Sequence, residues 1–142
     1  MEQKSTFKQE SPPRQIPITM DMVKDGTLFS SQDWVEGHKV SKAVAYNNGN
    51  STYKSLHPSA YVFHYHGREC YLIGDGHHRI SDALDRGIPI SATTDINLGE
   101  IDDDLMRNKN KIQQRFAIFG IETIMPFQYF LNKFINVSSN RG

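Results

Sequence analysis

The sequence predicts a mixed α/β (α+β) domain: a small mixed sheet with flanking helices and a helical C-terminal extension. Residues Ala60–His66 alternate along the chain as a half-buried strand does, and Cys70–Ile73 follows a tight turn as its return arm. An amphipathic helical segment with Ile80, Ala83 and Leu84 comes next, and the β-branched run Ile90–Ile96 closes the passage. Strands and a helix alternating at this spacing are typical of such a domain.

Length and composition set the broad class. The 142 residues suffice for one domain, and the formal net charge of zero lacks the basic excess of most DNA-binding proteins. Cys70 is the single cysteine, so no internal disulfide forms and the chain suits a reducing compartment. The sequence shows neither an apolar run near the ~20 residues of a membrane span nor a secretory leader. We therefore expect a cytoplasmic protein without membrane contact.

The chain divides into an arm, a domain and an extension. Residues 1–15 are polar and contain Pro12-Pro13, which predicts a disordered N-terminal arm. The domain covers residues 16–100 and opens with a first strand over Ile16–Met20, where Pro17 favours an edge position. Residues 101–142 form the helical extension, packed on the same domain.

Between the first strand and the hairpin the pattern favours helix. Asp25-Gly26 indicates a turn, and Ser30 or Ser31 is placed to cap a helix that includes Trp34. A second helical run surrounds Val40, and the cluster 47–50 is rich in asparagine and predicts a loop.

The hairpin and the strand after it define the sheet. Tyr61, Phe63 and Tyr65 are expected on one face of the first strand, with Val62 and the histidines that follow it on the other. Gly67-Arg68 makes the tight turn between the two arms.

Helices are predicted from residue 101 onward. Asp102 to Asp104 place acids at the start of a helix that runs to about Phe119, which suits the helix dipole. A last helix spans Pro126–Val137 with an apolar stripe at helical spacing: Phe127, Phe130, Leu131 and Phe134. That stripe either packs against the domain or forms a partner surface, and a homodimer through this helix is the second expectation.

The turn between the second hairpin arm and the helix is the one stretch with the character of a site. It contains Asp75, Gly76, His77, His78 and Arg79 in succession. A helix start presents unpaired backbone N–H groups, which favour anions, and Arg79 would add a forked cation for phosphate or carboxylate. The sequence therefore predicts a phosphate-bearing ligand at this turn.

The same stretch, IGDGHHRISDAL, resembles the ParB/sulfiredoxin superfamily, in which a strand leads through a DGxHR, GERR or GCHR turn into a helix. The specific match covers Tyr71–Pro89, and a looser match in element order covers Ile16–Ile96. Members of the superfamily include nucleotide-dependent kinases, sulfinic acid reductases, CTP-dependent DNA clamps and proposed nucleases. The resemblance implies a ParB-like domain whose cofactor is a nucleoside triphosphate with Mg²⁺.

The resemblance also implies roles for individual residues. His77 and Arg79 are expected against the ligand phosphates; His78 either replaces a small hydroxyl residue or aligns with the histidine of GCHR. The candidate catalytic residues are Asp75, His77 and His78, and the candidate cofactor-binding residues are Gly74, Gly76, His77, His78, Arg79 and Ser81. The structural alternative makes Asp75 a helix cap, with one histidine capping the helix and the other solvated.

Residues outside the turn carry weaker alternatives. His64 and His66 would join a turn histidine in a metal site, although such strand pairs are usually polar-face residues, and no metal is assigned. His77 holds the place of the sulfiredoxin cysteine, so that activity is not expected, and Cys70 is expected to be buried. The proton acceptor that related kinases place early in the fold has three candidates, each a surface acid by default: Asp21, Asp25 and Glu36.

Three functions follow from these expectations. The first is nucleotide binding, with NTP hydrolysis or phosphoryl transfer as the chemistry. The second is a ParB-like DNA-binding or nuclease protein, which the net charge does not favour and for which Lys109, Lys111 and Arg115 are the only modest basic cluster in the extension. The third is a non-catalytic interaction domain that kept the fold.

Overall fold

The computed structural model describes residues 8–49 and 57–141 and confirms the α+β class. The strands are β1 (Lys8–Pro17), β2 (Leu28–Ser30), β3 (Ser59–Tyr65), β4 (Arg68–Asp75), β5 (Ser91–Glu100) and β6 (Met125–Pro126). The helices are α1 (Met20–Asp25), α2 (Gly37–Asn47), α3 (His77–Arg86), α4 (Asp103–Arg107), α5 (Lys109–Arg115) and α6 (Phe127–Arg141), with a 3-10 turn at Ala117–Phe119. None of the helices in these ranges has the length and apolarity to span a bilayer.

The strands form one mixed sheet in the order β1-β5-β3-β4-β2-β6. The predicted hairpin is confirmed, since β3 and β4 pair antiparallel with Val62 opposite Tyr71. The neighbours of the hairpin, β5 and β2, each run parallel to the strand they join. The chain therefore reaches the Asp75–Arg79 turn at an end of the sheet where β4 stops beside the start of β3.

Two apolar clusters lie on opposite faces of the sheet, because successive strand residues point in opposite directions. Ile73 belongs to the cluster that helices α3 and α6 cover, and Leu72 belongs to the other. The predicted face of β3 is confirmed: Phe63 lies in the second cluster, and Tyr61 and Tyr65 pack against it. The site helix α3 therefore lies on the same face of the sheet as α6 and packs against it.

The N-terminal prediction is wrong for residues 8–15, which form β1 together with residues 16 and 17; residues 1–7 lie outside the described part of the chain. Strand β1 pairs antiparallel with β5 at an edge of the sheet. The register shifts between Gln9 and Arg14, and Pro12-Pro13 falls inside that shift. A proline has no N–H for the ladder, so an edge strand with an irregularity is the place that tolerates it.

The helix predicted from Ser30 or Ser31 begins later than expected. Ser30 ends the short strand β2, Trp34 lies in the following segment, and α2 starts at Gly37. Val40 and Ala43 face the core from α2, so the second predicted run is helical, whereas the stretch around Trp34 is not. All three residues of β2 are buried, so the strand shows no alternation of apolar and polar side chains. The sequence pattern alone therefore did not reveal it.

The predicted helix from Asp102 to Phe119 is broken into α4, α5 and the 3-10 turn. Asp102 caps α4 by accepting from the Leu105 N–H, and Asn108 caps α5 by accepting from the Lys111 N–H. An asparagine side chain that competes for backbone donors ends one helix and starts the next. The acids predicted at the helix start are found there.

The last helix, α6, is part of the core. Its apolar stripe is buried in the same cluster as Ile73 of the sheet and consists of Phe127, Phe130, Leu131 and Phe134. The first of the two expectations, packing, therefore holds, and the stripe is not available to a second copy. Strand β6 directly before the helix pairs with β2, which ties the predicted extension into the sheet.

Candidate ligand site at the Asp75–Arg79 turn

Two glycines allow the close packing of the turn, each against a different residue. Gly76, between β4 and α3, has φ 92°, and a Cβ there would lie 2.9 Å from the Cα of Pro58. Both the left-handed backbone and the contact with Pro58 disfavour any residue larger than glycine. Gly74 lies beneath the ring of Tyr61, where a Cβ would be 3.1 Å from Cε2. The glycines predicted as cofactor-binding thus shape the turn by close packing.

The start of α3 has no side-chain cap. Gly76 occupies the N-cap position, so the alternative in which Asp75 caps the helix is wrong. The Asp75 side chain is exposed, and the Ser59 hydroxyl lies 3.5 Å from its Oδ2. Among the described residues, no side chain caps the first N–H groups of α3, and the positive end of the helix dipole lies behind them.

His77 is buried beneath α6. Its Nε2 accepts a hydrogen bond from the Ser31 N–H at 3.3 Å, and its ring stacks on Phe127 at 6.1 Å between centroids. Desolvation by this burial lowers the pKa of His77 to about 3, so the imidazole is neutral. An accepting Nε2 on a neutral ring places the proton on Nδ1.

His78 is bound in the same way to a different residue. Its Nε2 accepts from the Glu36 N–H at 2.9 Å, and its ring meets Phe130 edge to face at 5.3 Å. Burial, assisted by the nearby Lys39 ammonium, lowers the pKa of His78 to about 4. The alternative of one capping and one solvated histidine is therefore wrong. The Nε2 atoms of both rings accept backbone hydrogen bonds from the segment 31–36 and so hold this segment against α3.

Arg79 is the cation of the turn, and α2 holds it. Its guanidinium carbon lies 3.8 Å from the centroid of the Tyr46 ring, and its Nε donates to Oδ1 of Asn47 at 3.2 Å. Nη1 of Arg79 is buried and has no hydrogen-bond partner. Sequence reasoning missed Tyr46 and Asn47, because neither residue type nor spacing indicates that the end of α2 reaches α3.

The acid next along α3 belongs to a separate network. Asp82 is buried and forms an ion pair with Arg86, whose Nη2 lies 2.7 Å from Oδ2. Asn47 also donates to this carboxylate, at 3.0 Å.

Ser81 lies on the buried side of α3. The residue is fully buried, and its Oγ has no hydrogen-bond partner. It shares the inward face of α3 with His77 and Ile80, by helical spacing. The prediction that Ser81 contacts a cofactor stays a prediction.

The histidines of the hairpin lie at the other end of the sheet. Ser59 pairs with Asp75 and Tyr65 with Arg68, so six residues of strand, about 20 Å, separate the turn from His66. His66 is outside β3 with φ 54°, and its Nε2 lies 2.8 Å from Oδ1 of Asp103. Geometry therefore does not assemble the three-histidine metal site, and no group of potential metal ligands was found among residues 8–49 and 57–141.

The remaining candidates are scattered. Asp21 and Asp25 are exposed at the two ends of α1, and the Glu36 carboxylate pairs with Lys39 at 2.9 Å. The structure brings only the backbone of Glu36 to the turn, through His78. Cys70 is buried as expected, and desolvation raises the pKa of its thiol.

Two of the three residues of the modest basic cluster in the extension, Lys111 and Arg115, line a cleft that also contains three carboxylates. The cleft has a volume of about 430 Å³ and is lined by Glu100, Asp102, Asp104, Leu105, Lys111, Gln114 and Arg115. Lys111 pairs with Asp104. Carboxylates beside these cations oppose a phosphate backbone, so this surface adds nothing to the DNA-binding hypothesis.

Comparison of the chain with protein-family models, with curated proteins and with solved structures found no match.

Proposed function

We propose that this protein binds a phosphate-bearing ligand, a nucleotide, at the Asp75–Arg79 turn, with Arg79 as the anion-binding side chain. The ligand phosphate would meet the uncapped start of α3, where backbone N–H groups and the helix dipole favour negative charge. The resemblance to ParB-like domains suggests a nucleoside triphosphate with Mg²⁺ as the ligand.

The observation that carries the proposal is the unpartnered Nη1 of Arg79. A buried donor without an acceptor costs roughly 1–3 kcal/mol, and more when the group is charged. Buried polar groups in proteins almost always have a partner, so an orphan on a guanidinium indicates an acceptor supplied from outside the described chain. Phosphate oxygens match the forked geometry of a guanidinium better than other common acceptors.

Catalysis at this site would use Asp75 rather than the histidines. His77 and His78 are neutral and their Nε2 atoms accept backbone hydrogen bonds, so neither is free to take a proton from a substrate. Asp75 is the motif carboxylate with an exposed side chain. Phosphoryl transfer or NTP hydrolysis would therefore be lost in Asp75→Asn while nucleotide binding survives.

The test is a thermal-shift titration with ATP, ADP, CTP and GTP, each with and without Mg²⁺. A ligand that binds the folded state raises the melting temperature according to its concentration over Kd. We expect one nucleotide to stabilise the wild type and Arg79→Gln to abolish the shift. Arg14→Gln is the matched control, because it removes the same charge from an exposed pair with Glu69. Equal shifts in wild type and Arg79→Gln would refute the assignment.

A further inference from the structure

Asp82 is the acid placed to neutralise Arg79. It lies three residues further along α3, a spacing at which helix side chains are neighbours, and it is 2% exposed. Attraction between a carboxylate and a guanidinium strengthens away from water. A pair between these two residues would cancel the charge that an anionic ligand needs.

Two contacts keep them apart. Arg86 holds both carboxylate oxygens of Asp82, with Nε 3.0 Å from Oδ1 and Nη2 2.7 Å from Oδ2. Asn47 lies between acid and cation: its Nδ2 donates to Oδ2 of Asp82 at 3.0 Å, while its Oδ1 accepts from Nε of Arg79 at 3.2 Å. Arg86 is itself fixed by Oδ1 of Asn48 at 2.8 Å.

We propose that Arg86 and Asn47 are positioning residues that hold the Asp82 carboxylate. This carboxylate then does not pair with Arg79, and the positive charge of Arg79 stays available to a phosphate group. This inference rests on the proposed function. It also narrows the ligand class: an Arg79 guanidinium that Asp82 does not pair with selects multiply charged phosphates such as a diphosphate or triphosphate over neutral ligands.

The experiment measures the Kd of inorganic pyrophosphate by calorimetry on the full chain. The variants are Arg86→Gln, Asp82→Asn, the double variant Arg86→Gln/Asp82→Asn, and Asn47→Asp, each checked for folding by circular dichroism. Arg86→Gln releases the carboxylate toward Arg79 and should weaken binding by about tenfold or more, the scale of one charge-assisted hydrogen bond. The double variant should recover wild-type affinity, because the competing acid is gone.

The other two variants keep the test decisive if Arg86→Gln does not fold. Asp82→Asn should bind at least as tightly as wild type, and Asn47→Asp should lose about tenfold because it puts a carboxylate beside Arg79. Wild-type affinity in a folded Arg86→Gln, or a double variant as weak as the single, would overturn the inference while leaving the phosphate site intact. Pyrophosphate binding that Arg79→Gln leaves unchanged, or no binding by wild type, would contradict the proposed function as well.

Discussion

His78 and Glu36 are joined by a hydrogen bond in which the Glu36 backbone N–H donates to Nε2 of His78 at 2.9 Å. With the matching bond from Ser31 to His77, it fastens both ends of the segment 31–36 to the first turn of α3. Two motif histidines that look catalytic in the sequence therefore act as neutral braces between the turn and the chain before α2.

Low pH is expected to destabilise the protein through the two buried histidines of the turn. Burial lowers the folded-state pKa of His77 to about 3 and of His78 to about 4, from an ordinary value of 6.5. The unfolded chain therefore binds protons first, so the stabilising contribution is full above pH 6.5 and is lost as the pH falls toward 4. Urea unfolding at several pH values should show this loss.

A variant separates the histidine contribution from general acid effects. Gln has an oxygen that accepts the same backbone N–H without titrating, so His78→Gln should make the dependence between pH 6.5 and 4 shallower, leaving the contribution of His77. Trp34 is the only tryptophan and lies within the braced segment, so its fluorescence reports the release directly. If the free energy of unfolding of wild type and variant had the same pH profile, His78 would not contribute to the loss of stability in acid.

The second prediction concerns Gly76. Gly76→Ala puts a Cβ 2.9 Å from the backbone of Pro58 and forces a left-handed φ on alanine, so it should cost about 3 kcal/mol of the free energy of unfolding. Gly26→Ala is the control, with φ 76° but open space around the new atom, and should cost only about 1 kcal/mol. Equal losses would mean that Pro58 yields to the added methyl group.

Removing the hydroxyl of Ser81 is expected to be harmless. Ser81→Ala deletes a buried Oγ that has no hydrogen-bond partner, so thermal unfolding should show unchanged stability or a gain of up to about 1 kcal/mol. Nucleotide binding should not change either. A loss of affinity in a variant of normal stability would restore Ser81 to the ligand site.

The buried and the exposed faces of α6 are expected to contribute very differently to stability. Phe130→Ala removes a fully buried ring that contacts both histidines, and it should cost about 3–5 kcal/mol. Tyr129→Ala, next to it on the same helix but 58% exposed, should change stability by less than about 0.5 kcal/mol. Denaturant unfolding of both variants checks this, and a large loss in Tyr129→Ala would show that the outer face of α6 is covered in solution.

Local patterns were sufficient where one element decides its own structure. The alternation in β3 and the apolar stripe of α6 each follow from the period of the side chains, and each is found in the structure. Residues 8–15 of β1 were missed for the opposite reason: Pro12-Pro13 suit a disordered arm until β5 offers a partner.

By itself, the sequence determined the α+β class, the hairpin, and the strand–turn–helix passage that follows it. Only the tertiary structure decided what the turn residues do, because His77 and His78 accept hydrogen bonds from the distant Ser31 and Glu36 and lie under rings of α6. The same holds for Arg79, whose partners on α2 come from the packing of two helices. Burial and hydrogen-bond partners are properties of packed neighbours, and no local pattern encodes them.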